Sequence, residues 1–346
     1  MSGLPSFSFV GSAASSAEEA FWTWRSITSP LFDISIPDSR AVDAFQVNVD
    51  SYHLGPLVFG SVSANAQRFH RSPLTIARSG VDHYLVQLYT HGGYAGEVEG
   101  RAIEVRSGDI SILDLSQTVR TQAERFHNLN CIVPRSMLEP LVRYPDGLHG
   151  TVLSGQTGLG HVLATYMQTI HKTANSLSAE DGAAISEATA SLIAGCFGPS
   201  AESRETVATA KRGALLLTVK RYIEANLADP GLTVEGITRE FHVSRATLVR
   251  MFEPLGGLSG YIRERRMLRC FAELTSPSPS HRSIADLSYS WGFGNEAAFS
   301  RAFRRMFDMS PREARAEGTL AQVAVQRYRS GSTGPIVAQW IRDLRV

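Results

Sequence analysis

The sequence predicts an α+β, multidomain chain: an N-terminal β-barrel or sandwich with flanking helices, then an all-α domain built from two helix–turn–helix units. Three observations point there. From about residue 44 to 135, apolar residues recur with period two between glycine-rich turns, as in the short strands of a small barrel or sandwich. From about 155 onward the period becomes helical. Finally, HVSRATLVRMF at 242–252 and GFGNEAAFSRAFRRMF at 292–307 repeat one design. Each sets Phe and Met along one side of a helix and Ser, Thr or Arg along the other, after a short helix and a tight turn.

A length of 346 residues fits about two domains of roughly 100–200 residues each. The three cysteines, Cys131, Cys196 and Cys270, are far apart and form no CxxC pair. That usage fits a reduced, cytoplasmic compartment better than a disulfide framework or a zinc site. The first seventeen residues hold no Lys or Arg, which argues against a signal peptide. No stretch approaches the roughly 20 apolar residues of a membrane span, so no membrane partner is expected. The net charge of +1 hides a gradient: −7 over residues 1–210, +5 over 211–320 and +3 over 321–346. A basic C-terminal third on an acidic body is the distribution of a nucleic-acid-binding module joined to something else.

Taken in order, Ser16 followed by Glu18 and Glu19 predicts a capped helix carrying Phe21, Trp22 and Trp24, with acids in its first turn. Alternation at Phe45, Val47 and Val49, and again at Ile110, Ile112 and Leu113, marks strands; Gly92, Gly93, Gly96 and Gly100 punctuate them. Helices follow at about 156–175 and 179–197, either a dimer seam or a cover for the barrel. GPSAESRE at 198–205 reads as a linker. Thr233 caps a helix bearing Val234, Ile237 and Phe241. After the His242-Val243 turn, Ser244 caps a second helix that buries Leu248, Met251, Phe252 and Leu255. The other unit starts at Ser283, with Ile284, Leu287 and Tyr289 or Trp291 packed. It turns at Gly292 and restarts at Asn295 with a stripe of Phe299, Ala302, Phe303 and Met306. Residues 258–274 form one connecting helix of roughly 25 Å, with Arg263, Arg265, Arg266 and Arg269 near solvent.

The second helix of such a pair enters the DNA major groove. Arginine forks onto guanine edges, hydroxyls reach phosphates or bases, and small residues let the helix sit deep. The candidate DNA-binding residues are therefore Ser244, Arg245, Ala246, Thr247, Val249 and Arg250 in the first unit. In the second they are Asn295, Glu296, Ala297, Ser300, Arg301 and Arg304. Two such helices held by one rod can address neighbouring groove segments, about 34 Å apart, without a palindrome.

LTVEGITREFHVSRATLVRMF at 232–252, GYIRERRMLRC at 260–270 and SIADLSYSWGFGNEAAFSRAFRRMFDMSPREAR at 283–315 together resemble the AraC/XylS family of bacterial transcriptional regulators. Residues 20–145, with an F-x-x-W-R helix and strands ending in GDISILD, resemble the cupin-like effector-binding domain of one branch. The resemblance implies regulated transcription, usually activation, with double-stranded promoter or operator DNA, RNA polymerase and a small-molecule effector as partners, often in a homodimer. The chain departs from the pattern at His242, where glycine is usual, at Thr238 and Ser288, where alanine is usual, at Gly236, and at Ala314, where an aromatic is common. The expected division is a cupin-like effector-binding domain at 1–150, a helical dimerisation or linker segment at 151–205, the double helix–turn–helix at 206–318 and a helical extension at 319–346. In that extension Ile336, Val337, Trp340, Ile341 and Leu344 sit at helical spacing, to pack back on the protein or to meet a partner.

The rival for the N-terminal part is a metal-dependent cupin enzyme or sensor, its helical domain making protein contacts. His53, His70, His83, His91 and His127 are scattered, with no H-x-H, and Glu97 and Glu99 near His91 lack a convergent third ligand. No metal, cofactor or catalytic residue is assigned, and no enzyme activity is expected. An effector pocket is favoured instead. Along DHYLVQLYT at 82–90 the alternation leaves either face available, so Tyr84, Val86, Gln87 and Tyr89 stand as candidates to line it, suited to a small, partly aromatic effector.

Overall fold

The computed structural model describes residues 3–11, 14, 16–37, 43–98, 100–203, 207–229, 231–276, 282–316 and 336–344. The chain forms two compact units, Met1–Thr206 with Pro335–Val346, and Val207–Gly334.

Two antiparallel sheets face each other in the first unit. One runs β1 (Ser6–Val10), β3 (Val47–His53), β4 (Val58–Ala64), β11 (Phe126–Val133), β6 (Tyr84–His91), β9 (Ile110–Asp114), β12 (Thr151–Leu153). The other runs β2 (Asp33–Ser35), β5 (Gln67–Arg71), β10 (Val119–Ala123), β7 (Tyr94–Val98), β8 (Arg101–Val105). Strand alternation sorts the residues into two cores. Val49, Val58, Leu85 and Tyr89 point into the space between the sheets, against Val98, Ile103 and Val119. Phe59, Tyr84, Val86, Leu88 and Cys131 point the other way, onto Leu163, Met167, Ile193 and Phe197 of helices α4 (Gly158–Thr173) and α5 (Ala179–Ser203). The helices predicted at 156–175 and 179–197 thus cover the larger sheet. The segment 198–205, read as a linker, is helical as far as Ser203.

Helix α1 (Ala17–Thr28) starts as its sequence dictates, with Ser16 Oγ accepting from the Glu19 amide at 3.1 Å. Short helices α2 (Pro73–Ser79) and α3 (Arg135–Leu138) follow β5 and β11. Arg71 is fully buried and donates to the carbonyls of Pro30, Leu31, Val81 and Leu115; it staples three loops together. Arg135 reaches the buried carboxylate of Asp114 and also Glu139, and lies over the Tyr84 ring at 4.8 Å.

The second unit consists of α6 (Val207–Ala225), α7 (Val234–Glu240), α8 (Arg245–Phe252), α9 (Leu258–Leu274), α10 (Ile284–Ser290) and α11 (Glu296–Phe307), with residues 311–316 also helical. Val219, Ile223, Ile237, Leu248, Phe252 and Ile262 form one core. The other is built on a phenylalanine column: Phe303 lies 6.0 Å from Phe271, 5.5 Å from Phe299 and 4.5 Å from Phe307, centroid to centroid. Ala314 is fully buried. Of the expected extension, residues 319–335 lie outside the described residues, while Ile336–Asp343 form helix α12.

Candidate nucleic-acid interface and ligand cavity

Each helix–turn–helix starts from side-chain caps. Thr233 Oγ1 accepts from the Gly236 amide at 3.1 Å, and Ser244 Oγ from Thr247 at 3.1 Å. Ser283 and Asp286 form a capping box, and Asn295 Oδ1 accepts from Ala298 at 3.0 Å. These bonds satisfy amides that the first turn leaves open.

The two turns close alike: the Val243 amide donates to Thr238 O at 3.2 Å and the Phe293 amide to Ser288 O at 2.9 Å. Both need a left-handed residue. Gly292 supplies it at φ 75°, whereas His242 holds φ 50°, a conformation that costs an L side chain roughly 1–2 kcal/mol. Where alanine is usual, Thr238 and Ser288 turn their hydroxyls back to the carbonyls of Glu235 and Ala285, both at 2.8 Å. Each polar group is thereby satisfied.

The faces that remain are the predicted ones. Ser244, Arg245, Ala246, Val249 and Arg250 are exposed along α8 and Thr247 is half-buried. Along α11, Asn295, Ala297, Arg301 and Arg304 are exposed, with Glu296 and Ser300 half-buried. Arg245 stands 3.5 Å from Glu235 and Arg304 3.8 Å from Glu313. Such exposed pairs contribute little and are readily exchanged. Beside α11, Ser300, Arg301, Arg304 and Arg312 line a cleft of about 370 Å³. Arg312 escaped the sequence reading because it lies beyond the repeated helix, in the SPREAR stretch.

Between the two helix–turn–helix motifs runs α9, unbroken over 17 residues. Two of its arginines are not free in solvent as predicted. Arg265 is ion-paired to Glu224 of α6, which also takes Arg269 at 3.2 Å. Arg266 donates to the carbonyls of Leu227 at 2.8 Å and Asp229 at 3.0 Å. Its guanidinium also fills the space over Gly292: a methyl there would fall 2.7 Å from Nη1. This one side chain fixes the lead-in of the first helix–turn–helix against the turn of the second. Tyr289 is exposed, and Trp291 is the packed member of that pair, with Nε1 donating to Glu273 at 3.0 Å.

In the first unit a cavity of about 80 Å³ opens between the sheets. One water needs about 10–15 Å³ by the same measure, so the space suits a small molecule. Trp24, Phe32, Phe69 and Phe126 supply aromatic walls. Its polar feature is a row across the sheet: Ser51 pairs with Gly60, Gly60 with Asn130, Asn130 with Gln87, and Gln87 with Ser111. Within it Gln87 Nε2 donates to Asn130 Oδ1 at 2.8 Å, and Asn130 Nδ2 to Asn128 Oδ1 at 2.9 Å. Gly60 keeps the row flat, since a methyl there would meet Asp50 O at 2.3 Å.

The four strand candidates divide by face. Gln87 lines the cavity. Tyr89 shares its side of the sheet, packed at 5.7 Å from Phe126; burial, then Tyr94, raises its hydroxyl pKa far above the usual range, so it stays neutral. Tyr84 and Val86 face α4 and α5 instead. They are corrected out of the cavity, because the period-two pleat sends alternate residues to the helix-covered face. Asn128, Asn130 and Trp24 take their place. Among the described residues no group of three or more His, Cys, Asp or Glu is placed to hold a metal, and Glu99 lies outside them. None of the described helices is long and apolar enough to cross a membrane.

Comparison with known proteins agrees with this division. A helix-turn-helix domain family matches residues 237–317, and an AraC-binding-like domain family matches 30–197. The chain is similar to the transcriptional activator NphR of Rhodococcus sp., 28% identical over 304 residues, covering 83% of this chain and 86% of that protein. The regulatory protein SoxS of Salmonella typhimurium is 31% identical over 103 residues, 29% of this chain and 92% of its own. Among solved structures, the AraC-like transcriptional activator CuxR aligns with a TM-score of 0.52 at 26% identity, covering 78% of this chain and 96% of that one.

Proposed function

The chain belongs to the AraC family of transcriptional regulators, and we propose that it activates transcription by docking α8 and α11 in two successive major-groove segments of an operator. One observation carries this reading: two capped helices, each with exposed arginines, are joined by an unbroken α9. Arg245, Arg250, Arg301 and Arg304 read or approach base edges. Ser300, Thr247 and the helix starts at Ser244 and Asn295 meet the phosphates; Ala246, Val249, Glu296 and Ala297 set the fit. Arg312 adds a phosphate contact.

The domain at 1–150, completed by the helices of 151–205, binds a small, uncharged, partly aromatic effector in the cavity above Gln87 and Asn130. The double helix–turn–helix occupies 206–318, and 319–346 is a C-terminal extension that ends in α12, which belongs to the first unit. The chain works by binding rather than by catalysis, in the cytoplasm, as a homodimer, and with RNA polymerase as a partner at the promoter. The effector acts by preferring one of two arrangements of the DNA-binding helices. A mobility-shift assay on DNA upstream of the protein's own gene tests the reading. Arg301→Ala should weaken binding by about 1–3 kcal/mol, roughly 5- to 150-fold. Unchanged binding at physiological salt removes Arg301 from the interface.

A further inference from the structure

The cavity has one wall that comes from the far end of the chain. Helix α12 contributes Val337 and Ile341 to the lining. Both are buried, as is Leu344, and the Trp340 ring packs edge-on to His53 at 5.3 Å. Among the described residues, a single side-chain hydrogen bond joins α12 to the rest of the first unit: His83 Nε2 and the Ile341 carbonyl lie 3.0 Å apart. Since a carbonyl only accepts, His83 carries its hydrogen on Nε2.

The walls built from the larger sheet are held differently. Gln87, Asn128, Asn130 and Ile132 sit on β6 and β11, which pair with each other and with β4 and β9 along their lengths. A strand in the middle of a sheet leaves only when the sheet does. An eight-residue helix attached by one apolar stripe and one bond can leave alone, because local opening follows the number of contacts that must break.

From this contrast we infer that α12 is a removable wall of the ligand cavity, docked when a ligand is held and undocked for ligand to enter or leave. A molecule in the cavity touches the sheets and Val337 and Ile341 together, so occupancy and docking reinforce each other. The ligand class follows from the lining: one aromatic ring's worth of apolar body with a neutral hydrogen-bonding group for the Gln87–Asn130 amides. Because α12 follows residues 207–334 in the chain while α5 precedes them, the DNA-binding unit is tied to the ligand-binding unit at both ends. Ligand occupancy strengthens the second tie. This inference rests on the cavity being the effector site only for its regulatory meaning; the movement of the wall is testable without any ligand.

The test places a thiol on the cavity wall of the full chain. Leu85 is buried and lines the cavity; Leu85→Cys is treated with the disulfide reagent DTNB. Cys131 opposes Val86 on the neighbouring strand but faces the helix layer, so it reports unfolding of the whole unit. With Ile341→Asp added, labelling at position 85 should accelerate at least tenfold while Cys131 stays unreactive. Equal rates with and without Ile341→Asp, or labelling of position 85 only together with Cys131, overturn the inference. In the unaltered chain, amides of 336–344 should exchange hydrogen at least a hundredfold faster than those of β6 and β11. Exchange at the same rate as the strands would make α12 a fixed part of the core. Neither result depends on whether an effector is found, so failure here leaves the effector reading standing, and the reverse.

Discussion

Replacing Gly292 by Ala should destabilise the second helix–turn–helix by about 2–3 kcal/mol. The backbone supplies part of this: at φ 75° an L side chain costs roughly 1–2 kcal/mol. The rest comes from Arg266. A methyl on residue 292 would stand 2.7 Å from Nη1 and 3.0 Å from Cζ. The guanidinium cannot swing aside freely, because it is bonded to the Leu227 and Asp229 carbonyls. Weakening charge-assisted bonds of this kind costs about 1 kcal/mol at a half-buried site, below the ~1.5–3 kcal/mol of buried ones. Native-state hydrogen exchange of the full chain reads the effect locally. Peptides covering 284–307 should exchange roughly 30- to 150-fold faster, while those of β11 are unchanged. The mirror substitution, His242→Gly, should gain up to about 1 kcal/mol, since relief of the φ 50° strain exceeds the extra freedom of glycine in the unfolded chain. An effect of Gly292→Ala below about 0.5 kcal/mol, within surface-substitution noise, would refute the reasoning about the turn and its arginine.

Arg135→Met should cost about 3–5 kcal/mol, because it strands the buried Asp114 carboxylate; a urea titration of the full chain measures it. Burial alone would raise the Asp114 pKa, but Arg135 and then His149 outweigh it and hold it below 3.8. A depressed carboxylate stabilises the fold above its unfolded pKa and loses that contribution as pH falls through the lower folded value. Without Arg135, burial pushes the Asp114 pKa back up, so the cost of Arg135→Met should be greatest near neutral pH and shrink as pH falls and Asp114 takes up its proton. His127 is lowered below 6.5 by burial, then by His171 and His91. It contributes fully above pH 6.5 and is eroded as pH falls below that value, by at most about 1.4 kcal/mol per pH unit. Melting temperatures at pH 7.5 and 5.5 should differ, and His127→Gln should flatten the difference. One-ring neutral compounds that raise the melting temperature should bind about tenfold more weakly to Asn130→Leu, which removes the centre of the amide row.

The repeated helices were legible almost residue by residue because caps and periodicity are local. Ser244, Asn295, Thr233 and Ser283 cap where the sequence places them, and α9 spans the predicted 258–274. What could not be read was pairing at a distance. Arg265 and Arg266 look like any solvent-facing arginine until Glu224, Leu227 and Asp229 are brought beside them. The cavity shows the same limit. Alternation along 82–90 separates two faces without saying which one a second sheet will meet, so Tyr84 and Val86 were indistinguishable from Gln87 and Tyr89. Strand β1 escaped because a five-residue SFSFV carries too little pattern. The tail's helical spacing was visible, but not that its apolar side would line the cavity.

We propose that two arginine-bearing helices on one rod grip neighbouring turns of the same face of a duplex. Hydroxyl-radical footprinting of the full chain on its operator measures this most directly. Two protected patches are expected, centred about 10–10.5 base pairs apart on one face, with Arg250→Ala thinning one patch and Arg301→Ala the other. A single patch, or one patch that fades equally with either substitution, would contradict it.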